Sequence, residues 1–501
     1  MEHLIAGLMN VFTLSNFTYC VLGAVLGTLV GVLPGLGPSS TLAILLPITA
    51  QLDPTGAIIM LAGVCYGAMY GGSTTSILVN VPGEVASVVT CYDGFPMTRQ
   101  GRGGQALWIA AVGSFVAGTL GVIGISVIGP GLAKLALKFG PPEYFGLLIF
   151  SLSMLIGLAG SSLVKGVAAG LAGMLLATVG VDPMTGTARM NFGITELTFG
   201  FNVIPVVVGL FGIGEMLSSA QAGQPQIYQG KLGPMTPPGP ELKRGLWATL
   251  RGTALGFLLG LIPGMVTALP TFFSYDLEKR LSRHPERFGT GVIEGVAGPE
   301  AANNATAQAG FIPLLSLGIP TAPSMALLLA AFTLYGVQPG PLIFQQNTLF
   351  VWTVIASMYI GNVMCLALNL PLIGLWARLA LIPYRYLAPA ILAICVIGAY
   401  STRNAMFDVW VALLFGLLGF YMKKRQWPTA PLILGFMLGP MIEIALRQTV
   451  SMGQAAGNIV APFLRPIPVA FMILAVIAVA TSFYLRRGRV PREVWAADSE
   501  T

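Results

Sequence analysis

The sequence predicts an all-α, polytopic membrane protein made of two tandem, inverted-topology repeats with broken or re-entrant helices. Three observations carry that expectation. Charged residues make up only 9% of the 501, and 55% are hydrophobic, whereas a soluble domain has about 25% charged residues to cover its surface. Residues 23–35, GAVLGTLVGVLPG, return at 252–264 as GTALGFLLGLIPG, so Gly23, Gly27, Gly31, Pro34 and Gly35 match Gly252, Gly256, Gly260, Pro263 and Gly264. The basic residues sit in short clusters between apolar runs, as juxtamembrane loops do.

Composition removes several classes. The 63 glycines and 35 prolines suit a membrane bundle, where both are commoner than in soluble helices, and the apolar content excludes low-complexity disorder. At about 20 residues per crossing, the apolar stretches give roughly nine to twelve spanning or half-spanning elements. The net charge of +7 is juxtamembrane Lys and Arg, so no nucleic-acid partner is implied. Cys20, Cys65, Cys91, Cys365 and Cys395 are scattered without a CxxC or Cys/His cluster, so disulfide and zinc readings fail. Only His3 and His284 are present, and no Walker A, GxSxG or HExxH pattern occurs; an enzyme is not expected. No catalytic, cofactor or metal residues are assigned.

Residues 1–16 lack a basic n-region and a cleavage site and read as an N-terminal interfacial segment. Transmembrane repeat one spans 17–218. A polar, Pro/Gly-rich linker covers 219–245, repeat two spans 246–485, and a basic cytoplasmic tail with Arg486, Arg487, Arg489 and Arg492 ends the chain at 486–501. The correspondence continues beyond the first motif. YGGSTTSILVNVP (70–82) aligns with QAGFIPLLSLGIP (308–320) at an offset of 238 instead of 229. The basic loop DLEKRLSRHPERFG (276–289) accounts for the nine extra residues.

Loop charge sets orientation. The loop after the first motif carries only Asp53 in repeat one, but Lys279, Arg280, Arg283 and Arg287 in repeat two. The loop after the second motif reverses this, with Arg99 and Arg102 in repeat one and no charge across 337–346. Equivalent loops of opposite basic bias are what inverted repeats predict; two parallel repeats with a drifting loop are the alternative. Lys423, Lys424 and Arg425 also read as cytoplasmic. The spans 105–130, 142–160, 163–180, 200–218, 347–376, 386–400, 405–422, 429–446 and 467–485 carry few polar residues and read as scaffold.

The chemistry gathers at the breaks. Proline removes a backbone donor and glycine permits unusual angles, which frees main-chain polar groups at mid-membrane. Such groups are tolerated only where protein buries them or a cavity hydrates them, and paired breaks in two halves mark a transporter site. A half-helix beginning near Ser39 or Thr267 would aim its positive end at a carboxylate. The candidate substrate residues are Gly35, Gly37, Ser39, Ser73, Thr74, Thr75, Asn80, Gly264, Thr267 and Thr321. The candidate ion-binding residues are Asn303, Asn304, Glu300, Ser316 and Gly318. The four broken elements near 34–39, 72–83, 263–268 and 310–321 would meet at mid-membrane. The competing explanation is close helix packing through glycines and interhelical Ser/Thr hydrogen bonds. Glu84 and Glu300 are the acids nearest the motifs, as ionisable groups for coupling or as helix caps. Asp408, Glu443, Glu143 and Glu215 sit near span ends and read as capping or snorkelling.

GVLPGLGPSSTLAILLP, YGGSTTSILVNVPGE, the block from SYDLEKRL through PEAANNATAQAG to LGIP, and PLILGFMLGPMIEIALRQ (431–448) together resemble the large membrane subunit of the tripartite tricarboxylate transporters, the TctA family, over essentially the whole chain. The resemblance implies a bacterial multi-pass inner-membrane secondary transporter related in architecture to elevator-type carriers. Its implied partners are a small four-helix membrane subunit (TctB-like) and a periplasmic solute-binding protein (TctC-like). That protein delivers a tricarboxylate or a related di- or monocarboxylate, and a Na⁺ or H⁺ gradient drives uptake. Two departures from the family pattern, Met265-Val266-Thr267 after the second break and Thr321 after LGIP, fall where a substrate would sit. The rival readings are an ion channel or pore and a self-sufficient carboxylate antiporter.

Overall fold

The computed structural model describes residues 2–33, 36–158, 162–182, 184–220, 232–262, 268–379, 382 and 384–487. Gly35, Gly264 and Thr267 lie outside the described residues, as do Pro34 and Pro263.

Helices α1 (Glu2–Val11), α2 (Leu14–Val32), α3 (Pro38–Thr49), α4 (Pro54–Val79), α5 (Val88–Arg99) and α6 (Gly103–Ala136) lead the fold. α7 (Pro141–Leu158) and α8 (Leu163–Ala177) follow, then an antiparallel hairpin of β1 (Gly180–Val181) and β2 (Ala188–Arg189). α9 (Val203–Val207) passes through a π-helical turn, Val208–Ile213, into α10 (Gly214–Ser219). Next come α11 (Gly239–Gly260), α12 (Ala268–Leu281), α13 (Glu294–Ala309), α14 (Phe311–Leu317), α15 (Pro323–Leu334) and α16 (Ile343–Gln346). The rest are α17 (Thr348–Asn369), α18 (Ile373–Leu379), α19 (Tyr384–Arg403), α20 (Met406–Lys424), α21 (Thr429–Ala455) and α22 (Pro466–Arg487).

The protein is therefore essentially all-α. Seven of these helices, α2, α4, α6, α17, α19, α20 and α21, are long and apolar enough to cross a membrane. Shorter apolar segments lie at α3, α8, Val203–Ser219, α15 and within α22. The chain is a multi-pass membrane protein. Within their apolar windows α4 is 94% buried and α19 only 22%, so α4 runs through protein while most of α19 is left uncovered by the rest of the described chain. The start of α4 is set locally: Pro54 occupies the first turn and Asp53 accepts the N–H groups of Thr55 and Gly56, an N-cap in the usual sense.

The repeated glycine faces are packing surfaces. A Cβ at Gly27 would stand 2.7 Å from the Val64 carbonyl oxygen of α4, while Gly23 faces Met60 and Gly31 faces Ala68. A Cβ at Gly256 would stand 2.6 Å from Ala302 Cα of α13, while Gly252 faces Gly298 and Gly260 faces Thr306. Gly23, Gly27 and Gly31 each meet the residue 37 positions on, and Gly252, Gly256 and Gly260 the residue 46 positions on, a difference that matches the nine extra residues of repeat two. Bare backbone on both sides lets the helix axes approach as small-residue motifs allow.

Short helices follow the interruptions: α3, α5 and α15 have 12 residues and α12 has 14, each below the roughly 20 needed to span. Two interruptions fall later than the sequence suggests. α4 stays helical through Val79, so Gly72 to Ser76 are helix interior, and the break begins at Asn80 with φ 57°. Tertiary packing holds that stretch helical despite its glycines, since Gly71 lies against the Gly31–Val32 backbone. Likewise Gly310 keeps helical angles between α13 and α14, and the break comes at Gly318 with φ 71°.

Candidate functional site

Two buried carboxylates come together where α4, α5 and α13 meet. The cause lies in two glycines. A Cβ at Gly83 would stand 2.6 Å from Gly72 Cα, so only glycine lets the segment after α4 fold back onto that helix. The fold-back lays Glu84 and Ser87 over Gly72, where an added Cβ would stand 3.0 Å from Glu84 Cγ and from Ser87 Oγ.

Glu300, on α13, accepts from Ser73 Oγ of α4 through one oxygen and from Thr90 Oγ1 of α5 through the other. Asn303, one turn along the same face, donates to Glu84 Oε1, which also receives Ser87 Oγ at 3.3 Å. Glu84, through Asn303, and Glu300 thus both lie along α13. Their residues are 6% and 1% exposed, and Asn303 is 1% exposed. Among the described residues neither carboxylate has a Lys or Arg partner. Asn303 Oδ1 and Gln308 Oε1 are buried without a hydrogen-bond partner among those residues.

Asn304 faces the other way, donating to Ser114 Oγ of α6 at 2.7 Å and to the Glu300 carbonyl at 3.1 Å. Beside it lies a narrow cavity lined by Tyr70, Ser73, Thr74, Ser114 and Asn369 among others. Asn369 Oδ1 is a further unpartnered buried acceptor. Tyr70 donates to Asn362 Oδ1 at 2.7 Å, and Asn362 in turn donates to the Phe115 carbonyl at 2.9 Å, locking α4, α6 and α17 around the cavity.

The structure gathers Ser73, Glu300 and Asn303 with Glu84, sets Thr74 in the wall of the adjoining cavity and ties Asn304 to Ser114, another residue of that wall. It separates others. Thr75 returns its hydroxyl to the Gly72 carbonyl. Asn80 is the exposed left-handed cap of α4. Ser316 donates to the Gly129 carbonyl of α6 at 3.0 Å, and Gly318 turns the chain beside Pro339. Thr321 lies over Gly310, its Oγ1 2.6 Å from where a Cβ would stand there. Gly37 and Ser39 are half-buried at the start of α3, with open space beside Gly37.

Thr90, Ser87, Ser114, Asn362 and Asn369 join the site without a motif to announce them. Asp93 was equally silent. Fully buried, it accepts from the N–H groups of Gly291 and Val292, both at 2.8 Å, from Gly289 at 3.0 Å and from Tyr275 Oη at 2.8 Å. It pins the basic loop of residues 284–293 to α5, and Gly289 and Gly291, at φ 90° and 106°, supply the turns. Asp408, Glu215 and Glu143, in the first turns of α20, α10 and α7, pair with Arg403, Lys423 and Arg465, the last at 3.6 Å, whereas Glu443 lies well inside α21, not near a span end as the sequence suggests, and pairs with Arg189 and Arg447.

A family model described as the tripartite tricarboxylate transporter TctA family matches residues 17–434. The chain is 45% identical over 493 residues to a protein of Agrobacterium vitis described as an uncharacterized 52.8 kDa protein in the TAR-I ttuC' 3' region, covering 98% of both chains. It is also 46% identical over 237 residues to an uncharacterized protein of the TAR-II ttuC' 3' region of the same organism, covering 47% of this chain and 98% of that one. No solved structure matches.

Proposed function

The chain belongs to the tripartite tricarboxylate transporter TctA family, and from that premise we propose that it is the pathway through which a carboxylate enters the cell together with a cation. The observation that carries this reading is the pair Glu84 and Glu300, buried with hydroxyl and amide partners and without a basic counter-charge among the described residues. Two ionised carboxylates in a low-dielectric interior each cost several kcal/mol. A proton or a Na⁺ ion held between them removes that cost, and oxygen ligands suit a hard cation. The order of events follows from charge. An empty cluster repels an anionic substrate, while a loaded cluster admits it.

The substrate carboxylate would lie toward the start of α3 at Gly37 and Ser39, where a helix N-terminus presents free N–H groups and space beside Gly37 is open. Residues 17–218 and 246–485 act as inverted repeats. Their duplication is supported by the matched glycine registers of α2 on α4 and α11 on α13. Inversion is supported by the meeting of two loops that it places on one side: Gln100 donates to the Thr290 carbonyl at 2.6 Å and Arg102 to the Gly291 carbonyl at 3.3 Å. Transport then moves one repeat-derived unit against the other, elevator-fashion, in the inner membrane. A TctB-like small subunit and a TctC-like periplasmic binding protein complete the complex.

The test is reconstitution into liposomes with both partners and a labelled tricarboxylate, under an imposed Na⁺ or proton gradient. Accumulation that needs the binding protein and one gradient supports the reading, and Asn304→Ala should abolish it while leaving insertion intact. Uptake by the chain alone would favour the antiporter, and unsaturable flux a pore.

A further inference from the structure

A second built feature lies away from the carboxylate pair, where the ends of α11, α12 and α13 meet the α5–α6 loop. It is a cleft of about 810 Å³. Six Lys or Arg residues line it against three glutamates. The glutamates are already engaged: Glu241 with Arg102, Glu278 with Arg251 and Glu294 with Arg244 at 2.6 Å. Lys243, Arg283 and Arg287 have no carboxylate partner among the described residues, which leaves the cleft an excess of three positive charges. A multivalent anion complements that excess, and an isolated like-charge cluster would not otherwise be favourable.

Two independent observations say what kind of anion. First, an apolar groove lined by Leu242, Leu246, Trp247 and Leu250 runs along α11, and it shares Lys243 and Trp247 with the basic cleft. Trp247 and Leu250 are 55% and 43% exposed. A tryptophan at the boundary of a charged and an apolar surface is the pattern of a bilayer interface. Second, Glu294 Oε2 is buried at the cleft without a hydrogen-bond partner among the described residues, an acceptor waiting for a donor on the ligand.

We propose that this cleft and groove bind one anionic phospholipid. Lys243, Arg283 and Arg287 hold the phosphate, a headgroup hydroxyl donates to Glu294 Oε2, and an acyl chain lies along Leu242, Leu246 and Leu250. Glu294 begins α13, so the bound lipid steadies the end of the helix that carries Glu300 and Asn303. The assignment stands on the cleft itself and does not depend on the transport reading.

Thermal unfolding of the purified full-length chain in a non-ionic detergent tests it, with three additives: dioctanoyl phosphatidylglycerol, dioctanoyl phosphatidylcholine and glycerol phosphate. Phosphatidylglycerol should stabilise saturably and the other two should not. The exposed double variant Lys243→Gln/Arg287→Gln should weaken the apparent lipid affinity at least about tenfold, from roughly fivefold per basic contact. Leu246→Ser/Leu250→Ser should weaken it without altering the charge. Lys134→Gln/Lys138→Gln, the same charge change at the far end of α6, should leave it unaltered. Equal stabilisation by glycerol phosphate would identify a free-phosphate site and overturn the proposal. So would wild-type lipid affinity in either cleft or groove variant, or an equal loss in the α6 variant.

Discussion

Asn303 of α13 donates its side-chain amide to Glu84 in the break after α4, 219 positions away, while its own Oδ1 is buried with no partner among the described residues. One side chain therefore ties a break in the first half of the chain to a helix in the second and still has an acceptor to offer. Asn303→Ala should destabilise the protein by about 1–3 kcal/mol, because Glu84 is left short of a donor. In a Glu84→Gln background the same substitution should cost less, with a coupling of about 0.5–3 kcal/mol. Additive losses in unfolding experiments would show that the two side chains do not act together.

Glu300→Gln keeps the size of the side chain and removes the ionisable group; one of the two hydroxyls that donate to it, Ser73 or Thr90, must turn to accept from the new NH₂ group. The expected outcome is background uptake in proteoliposomes with an unfolding temperature equal to or above that of the parent, since a buried charge has been removed. Uptake still driven by the cation gradient would remove Glu300 from the coupling site.

The glycine faces are testable by adding one carbon. Gly256→Ala brings a Cβ to 2.6 Å from Ala302 Cα, and overpacking of this kind costs about 1–3 kcal/mol. Gly37→Ala meets open space and should leave thermal stability unchanged. Equal stability of both variants would mean that α11 and α13 do not pack backbone to backbone.

Asp93→Asn replaces an acceptor of three backbone N–H groups with an amide whose NH₂ faces other donors. Hydrogen bonds to a charged group are worth about 1.5–3 kcal/mol each, so the loop of residues 284–293 should loosen. Limited trypsin digestion should then cut faster at Arg283 and Arg287, with the remaining helices resistant. An unchanged cleavage rate would assign the loop's order to contacts other than Asp93.

Acid should act on the hairpin. The N–H of Met184, then Arg447 and the N–H of Thr185, hold the Asp182 carboxyl down at about 2. A carboxyl with a lowered folded value stabilises above its ordinary value, near about 4, and that contribution disappears as pH falls toward about 2. The stability gap between the parent and Asp182→Asn should thus be full at neutral pH and close on acidification. A gap independent of pH, followed by thermal unfolding across that range, would contradict the ion pair.

The helical membrane class, the paired interruptions and the polar run that holds Glu300 and Asn303 were legible in the amino-acid order, because each is written in short-range composition. Apolar length sets a span, proline and glycine break it, and a three-residue spacing puts two side chains on one helix face. Thr90 and Asp93 carried no such signal, and Glu84, though it stands beside a motif, carried none for its partner. Their roles arise from contacts with partners about 180 to 220 positions away, which no local pattern encodes. The same holds for the breaks that came late: Gly72 reads as an interruption in isolation, but α2 packed against α4 keeps it helical. Only tertiary structure decided which polar groups were left inward, since that depends on which backbones the glycines allowed to touch.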